Sequence, residues 1–169
     1  MPEMADVFSK AKRSQVMSRI RSRGNKATEV VLARLLRAHQ ICGWRRQIQI
    51  LGRAVLPRGP KIKAAQQRRP TLKFSVRPDF VFKQARLALF VDGCFWHGCP
   101  KHGTQPKGNR AFWKKKFARN IARDRRVNRA LRRANWRVLR IWEHELARKN
   151  EIRLLHRIRK ALAGVSTTK

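Results

Sequence analysis

Twelve residues hold most of the reactive side chains of this sequence: Val91-Asp92-Gly93-Cys94-Phe95-Trp96-His97-Gly98-Cys99-Pro100-Lys101-His102. They combine a carboxylate, two thiols, two imidazoles and an adjacent pair of large aromatics. Cys94, Cys99 and His102 are soft or borderline metal ligands on one loop. His144 follows a later strand and would complete the set if that strand lies beside this one. A closed Cys2His2 tetrahedron is the donor pattern of structural zinc. The spacing is not that of a standard finger, and His97 competes as a ligand from inside the loop. Cys42 is isolated in sequence and reads as a small buried residue.

Carboxylates supply a second chemistry. Phosphodiester hydrolysis needs charge stabilisation at the phosphate and an activated water, and magnesium held by one or two carboxylates provides both. Asp79 opens a β-rich arm, residues 77–83, and Asp92 closes another, residues 86–92. A hairpin of these arms puts both acids at one end of a sheet, a costly placement without a cation; ordinary strand-end turn acids are the alternative. The pair fits the acidic part of a Pro-Asp…(Asp/Glu)-x-Lys nuclease site, but Cys94 stands where the lysine would fall. His97 is the replacement as general base, because imidazole titrates near neutrality. Asp124 is the candidate to orient it, against a simple salt bridge with one of the many arginines. Phe95 and Trp96 are neighbours that cannot easily share one core, so at least one is expected to be exposed. An apolar ring that enters a base step is a known nucleic-acid device; core packing is the plainer reading, for these and for Trp113.

The rest of the chain must position these groups and bring them to a partner. It has 169 residues, with 43 Lys and Arg against 9 Asp and Glu, a formal net charge of +34. Such a field favours polyanions, above all nucleic acid, whose counterions are released on binding. A merely solvated basic surface is the alternative. No run of 18 apolar residues is present, so no membrane span is expected, and the N-terminus lacks an apolar signal core. Three cysteines, two of them close together, favour metal binding in a reducing cytoplasm over a disulfide framework.

Residues 1–24 read as a basic arm with a short helix over 11–20 that includes Met17. A single domain is expected over 25–163, followed by a tail at 164–169. Asn25 or Thr28 caps a helix running to about His39, with Glu29 in its first turn. Residues 44–51 read as a strand. Residues 52–76, with Pro57, Pro60 and Pro70 and many basic residues, read as a mobile basic insertion. After the 77–92 hairpin, a long helix over 109–135 presents Trp113, Phe117, Asn120, Asp124, Val127, Leu131 and Ala134 on one face. A strand over 136–142 and a final helix over 145–163 complete the domain.

Taken together, Asp6 to Arg23, the helix with Glu29, Arg77-Pro-Asp-Phe, Val91-Asp-Gly-Cys-Phe-Trp-His-Gly-Cys, Phe112-Trp113, Asn120 with Arg123-Asp-Arg-Arg126, and Trp136-Arg-Val-Leu-Arg-Ile-Trp-Glu-His144 resemble the very-short-patch-repair DNA mismatch endonucleases. The resemblance covers most of residues 6–150. It implies an α/β, restriction-endonuclease-like core, a central mixed β-sheet flanked by helices, with a structural zinc site. It implies a magnesium-dependent nick on the 5′ side of the thymine in a T:G mismatch left by deamination of 5-methylcytosine. By position, Asp79 would bind magnesium with the main-chain carbonyl of Val91, His97 would be the base and Asp124 its partner. Glu29 would support the metal site through water. Phe95, Trp96 and Trp113 would intercalate, with Met17 on the other side of the DNA.

The sequence departs from the best-known members at three places. The zinc loop is spaced differently, with His144 where they have a cysteine, so Cys94, Cys99, His102 and His144 are the residues inferred to take over. Asp92 replaces a non-acidic residue and is a further candidate for the magnesium and catalytic set. The 52–76 insertion has no assigned counterpart. The expected substrate is double-stranded DNA with a T:G mismatch, met by a monomer in the nucleoid-bearing cytoplasm, with mismatch-repair proteins as candidate partners. Two other readings stand beside this one. One is a nuclease of the same fold with another DNA specificity, in defence or mobile elements. The other is a zinc-stabilised DNA-binding protein without catalysis; Asp79, His97 and Asp124 speak for an enzyme, because binding needs none of them.

Overall fold

The computed structural model describes residues 28–55, 71–103, 106 and 108–164. The expected N-terminal arm with Met17, the middle of the 52–76 stretch and residues 165–169 of the tail lie outside the described residues.

Four strands form the main sheet, in the order β1 (Trp44–Arg46), β4 (Phe80–Phe82), β5 (Leu87–Asp92), β6 (Arg137–Trp142). β1 and β4 pair antiparallel, as do β4 and β5, whereas β5 and β6 run parallel. The sheet is therefore mixed. A parallel neighbour needs a long crossover, and helix α2 (Arg110–Arg133) supplies it. Helix α1 (Glu29–Ala38) precedes the sheet and α3 (Glu151–Ala163) follows it.

Alternation along the strands sorts the side chains into two layers. Phe80, Phe82, Leu87, Leu89 and Ile141 pack with Leu32 and Leu36 of α1 and Leu154 and Ile158 of α3. The residues that alternate with them, Val81, Ala88, Phe90 and Val138, face the other way onto Val127 and Leu131 of α2. The stripe on α2 expected from its 3.6-residue period is thus the face that meets the sheet. Leu131 is fully buried there, and truncating it to alanine would cost about 2–5 kcal/mol. Among the described residues, no helix is long and apolar enough to cross a membrane.

Several expectations need correction. The strand expected over 44–51 is two strands. The chain breaks at Gln47, which has a positive φ of 56° and donates its main-chain N–H to the Asp79 carbonyl at 3.2 Å. The stretch 52–76 is not loop throughout, because β2 (Ile50–Val55) and β3 (Thr71–Val76) pair antiparallel along their whole lengths. The prolines of that stretch fall between the two strands and hide the apolar alternation of Leu72, Phe74 and Val76. Phe74 packs over Gly52 in this hairpin: a Cβ there would lie 2.6 Å from the ring, which would have to shift. Cys42 is exposed, not buried. The last helix begins at Glu151, after two 3-10 turns, Glu143–Leu146 and Arg148–Asn150. Glu145 causes the first of these by reaching back to accept the Trp142 N–H at 2.9 Å. Thr28 precedes α1 without making a side-chain cap.

Candidate active site and metal centre

The site is assembled where β5 and β6 end and α2 crosses them. Alternation along β5 turns Asp92 toward α2, the side of Ala88 and Phe90, and alternation along β6 turns Arg140 the same way as Val138. The parallel register sets Phe90 opposite Arg140 and Asp92 opposite Trp142. Arg140 Nη1 donates to Asp92 Oδ1 and Oδ2 at 2.6 and 2.7 Å. Its Nη2 meets Asp124 Oδ1 at 3.1 Å, its Nε donates to Asn128 Oδ1 at 3.1 Å, and its guanidinium lies 4.6 Å from the Phe90 ring centre.

After Asp92 the chain curls. His97 N–H bonds to the Gly93 carbonyl at 3.2 Å and Cys99 N–H to the Cys94 carbonyl at 3.0 Å. Asn120 of α2 pins the outside of the curl, donating to the Trp96 carbonyl at 2.8 Å. The curl points the two functions apart. His97 Nδ1 lies 2.6 Å from Asp124 Oδ2 and 3.7 Å from Asp92 Oδ1. The imidazole is therefore given to α2, leaving Nε2 as its free face for proton exchange. Burial disfavours the charge of Asp124, but the His97 hydrogen bond and the Arg140 charge outweigh it and hold the carboxyl below its ordinary range.

Asp79 precedes β4. Its Oδ2 accepts the Val91 N–H at 2.8 Å. Burial, reinforced by the charges of Glu29 and Asp92, pushes its pKa up to about 6 against the pull of Val91 N–H and Arg140. Glu29 is 4% exposed; its Oε2 accepts from Arg46 Nη2 at 2.7 Å and Gln47 Nε2 at 3.0 Å. The end of β1 thereby holds the first turn of α1 against the site. Asp92 does lie near Asp79, as the hairpin implied, but its oxygens are engaged by Arg140. With His97 and Asp124 it forms one group whose polar atoms lie within 4.8 Å of one another.

The thiols form the other group. One ligand atom from each of Cys94, Cys99, His102 and His144 lies within 4.8 Å of the rest. His144 Nδ1 is 3.2 Å from Cys94 Sγ and 3.6 Å from Cys99 Sγ. Adjacency of β5 and β6 brings His144 here, as the sequence condition required, and Glu143 Oε2 accepts the Cys94 N–H at 3.2 Å. Burial pushes the Cys94 thiol up. Partial burial and the neighbouring His102 hold the His144 imidazole down, in the neutral form a metal would take.

The expectation that Phe95 or Trp96 is thrown out to solvent is corrected: both are half-buried. Their ring centres lie 5.0 Å apart, and Phe95 also meets Trp113 at 5.2 Å and Phe117 at 5.4 Å. The curl of the loop lets consecutive residues lean on one end of α2. Phe112, at 52% exposure, is the open ring beside them. Arg140 was missed at the sequence level. It shares the face of Val138 by alternation along β6, but the sequence does not name its partners Asp92 and Asp124.

Comparison with known proteins places this geometry in context. A family model described as DNA mismatch endonuclease Vsr matches residues 63–102, starting inside the stretch read as an insertion. The type II nicking enzyme V.NaeI of Lentzea aerocolonigenes is 57% identical over 70 residues, 41% of this chain and 42% of that protein. The chain thus spans less than half the length of that relative. The type II nicking enzyme V.NmeAIP of Neisseria meningitidis serogroup A is 29% identical over 148 residues, 86% of this chain and 87% of that one. The DNA mismatch endonuclease Vsr of Escherichia coli is 33% identical over 141 residues, 83% of this chain and 74% of its own. Likeness of that extent, carried by a mixed α/β fold with an oriented histidine at the end of β5, means that the chain belongs to the Vsr family of DNA mismatch endonucleases.

Proposed function

We propose that this chain is a magnesium-dependent DNA endonuclease that nicks double-stranded DNA on the 5′ side of the thymine in a T:G mismatch, acting as a monomer in the nucleoid. The His97–Asp124 contact at 2.6 Å carries this reading. A surface that only binds DNA has no use for an imidazole oriented by Asp124, nor for the carboxyl of Asp79 pushed up to about 6.

Asp79 and the main-chain carbonyl of Val91 would hold magnesium, with Glu29 supporting the site through water. The fit is electrostatic: Asp79 is buried among like charges, an excess that a divalent cation relieves. Magnesium, when bound, supplies charge stabilisation at the phosphate. His97 Nε2 takes the proton of the attacking water. Asp124 keeps the proton of Nδ1 in place and stabilises the imidazolium that results. Cys94, Cys99, His102 and His144 would hold zinc, for which two thiolates and two imidazoles are a suitable donor set. Its role is to stiffen the loop that carries His97. Phe95, Trp96 and Trp113 form the wedge, opposed by Met17 from the arm, and the charge of +34 gathers the DNA.

The test is cleavage of matched and T:G duplexes in magnesium. Nicking confined to the mismatched strand supports the proposal; equal nicking of both duplexes, or binding without nicking, contradicts it. A second reading, a nickase of other sequence specificity, is favoured by the names of relatives such as V.NaeI and V.NmeAIP, which are type II nicking enzymes. Context-dependent nicking of matched DNA would support it.

A further inference from the structure

Arg140 joins the two carboxylates that flank His97. We infer that Arg140 is a positioning residue for the His97–Asp124 pair, and that Asp92 is its anchor rather than a magnesium ligand. This rests on the reading of His97 as base.

The guanidinium is a rigid planar fork, and its donors are committed in several directions. Nη1 is taken by both oxygens of Asp92, Nη2 by Asp124 Oδ1 and Nε by Asn128. Asp124 therefore has one oxygen on Arg140 and the other on His97, which fixes the rotation of its carboxylate. Asp92, 5% exposed, already has a cation at 2.6 Å, and a metal there would have to displace the guanidinium. Arg140 also settles a competition. Asp92 Oδ1 lies 3.7 Å from His97 Nδ1, and unneutralised it would draw the imidazole away from Asp124.

The experiment compares full-length wild type, Arg140→Met, Asp92→Asn and the double variant on a T:G duplex. Single-turnover rate, duplex affinity, magnesium half-saturation and thermal midpoint are measured for each. Arg140→Met is expected to lose about 10–100-fold in rate, the usual effect of an outer-shell partner, with duplex affinity nearly unchanged. Adding Asp92→Asn is expected to recover about tenfold, because the stranded charge is gone. Asp92→Asn by itself should leave magnesium half-saturation unchanged. A rise of about tenfold or more, a wild-type rate in Arg140→Met, or a double variant no faster than Arg140→Met would each overturn the inference. If Arg140→Met does not fold, a folded double variant supports it and an unfolded one overturns it. If wild type nicks no duplex, the proposed function fails and the positioning role with it, and thermal midpoints still decide whether Asp92 anchors Arg140. Arg140→Met should melt lower and the double variant should be restored; no restoration overturns the inference.

Discussion

His97 Nδ1 and Asp124 Oδ2 stand 2.6 Å apart, although 27 residues separate them in the chain. The contact exists because the loop after β5 curls back and α2 crosses above it, pinned by Asn120 on the Trp96 carbonyl. Asp124→Asn keeps the shape but can present its amide to Nδ1 and favour the wrong tautomer. The expected outcome is a loss of about 100-fold or more in single-turnover nicking with unchanged duplex affinity. A parallel loss of affinity would mean that Asp124 serves DNA binding instead.

Asp79 links the site to stability. Its pKa is raised from 3.8 to about 6, chiefly by burial. A carboxyl raised on folding stabilises the fold below its ordinary pKa, and that contribution disappears as pH rises through about 6. In magnesium-free buffer at pH 7–8, Asp79→Asn should therefore be more stable than wild type, on the order of 2 kcal/mol. By about pH 4 the difference should vanish. Urea melts at both pH values check this; an equal difference at both would show that the charge of Asp79 is not the cause.

Zinc is tested by metal analysis of the purified protein. About one zinc per chain is expected for a closed four-ligand site, together with a lower melting temperature and less metal in Cys99→Ser. A zinc-free wild type of full stability would remove the metal from the description.

The aromatic cluster predicts how the wedge works. Phe95 meets Trp96, Trp113 and Phe117 edge to face, and Trp113 leans on Trp96 and Phe117 at tilted angles, so the ring that enters DNA would be backed by a packed pile. Unstacking a base step costs a few kcal/mol. Trp113→Ala is expected to weaken binding of a T:G duplex about tenfold or more, while matched DNA is bound as before. It should also abolish the fluorescence rise of 2-aminopurine placed beside the mismatch. Equal weakening on both duplexes would return these rings to a structural role.

Much of this site was legible in the sequence because it is local or periodic. The hairpin acids Asp79 and Asp92, the α2 stripe with Asp124 and the four zinc-type ligands follow from alternation, from a 3.6-residue period and from ligand chemistry. The pairing of β2 with β3 was not legible, since Pro57, Pro60 and Pro70 dominate the composition between them. Arg140 was hidden for a different reason. In a chain with 43 basic residues, one arginine carries no signal until the parallel register of β5 and β6 puts it beside Asp92. The half-buried state of both Phe95 and Trp96 depended on the curl of their loop, which residue types do not encode.

The most direct measurement is single-turnover cleavage of an end-labelled T:G duplex in magnesium by wild type, Asp79→Ala and His97→Ala, with fragment length read on a sequencing gel. Wild type is expected to give one fragment ending on the 5′ side of the mismatched thymine, and each variant to fall by roughly 1000-fold while still binding the duplex. Cleavage that survives both substitutions, or a wild type that binds the mismatch and leaves it uncut, would contradict a nuclease site built on Asp79 and His97.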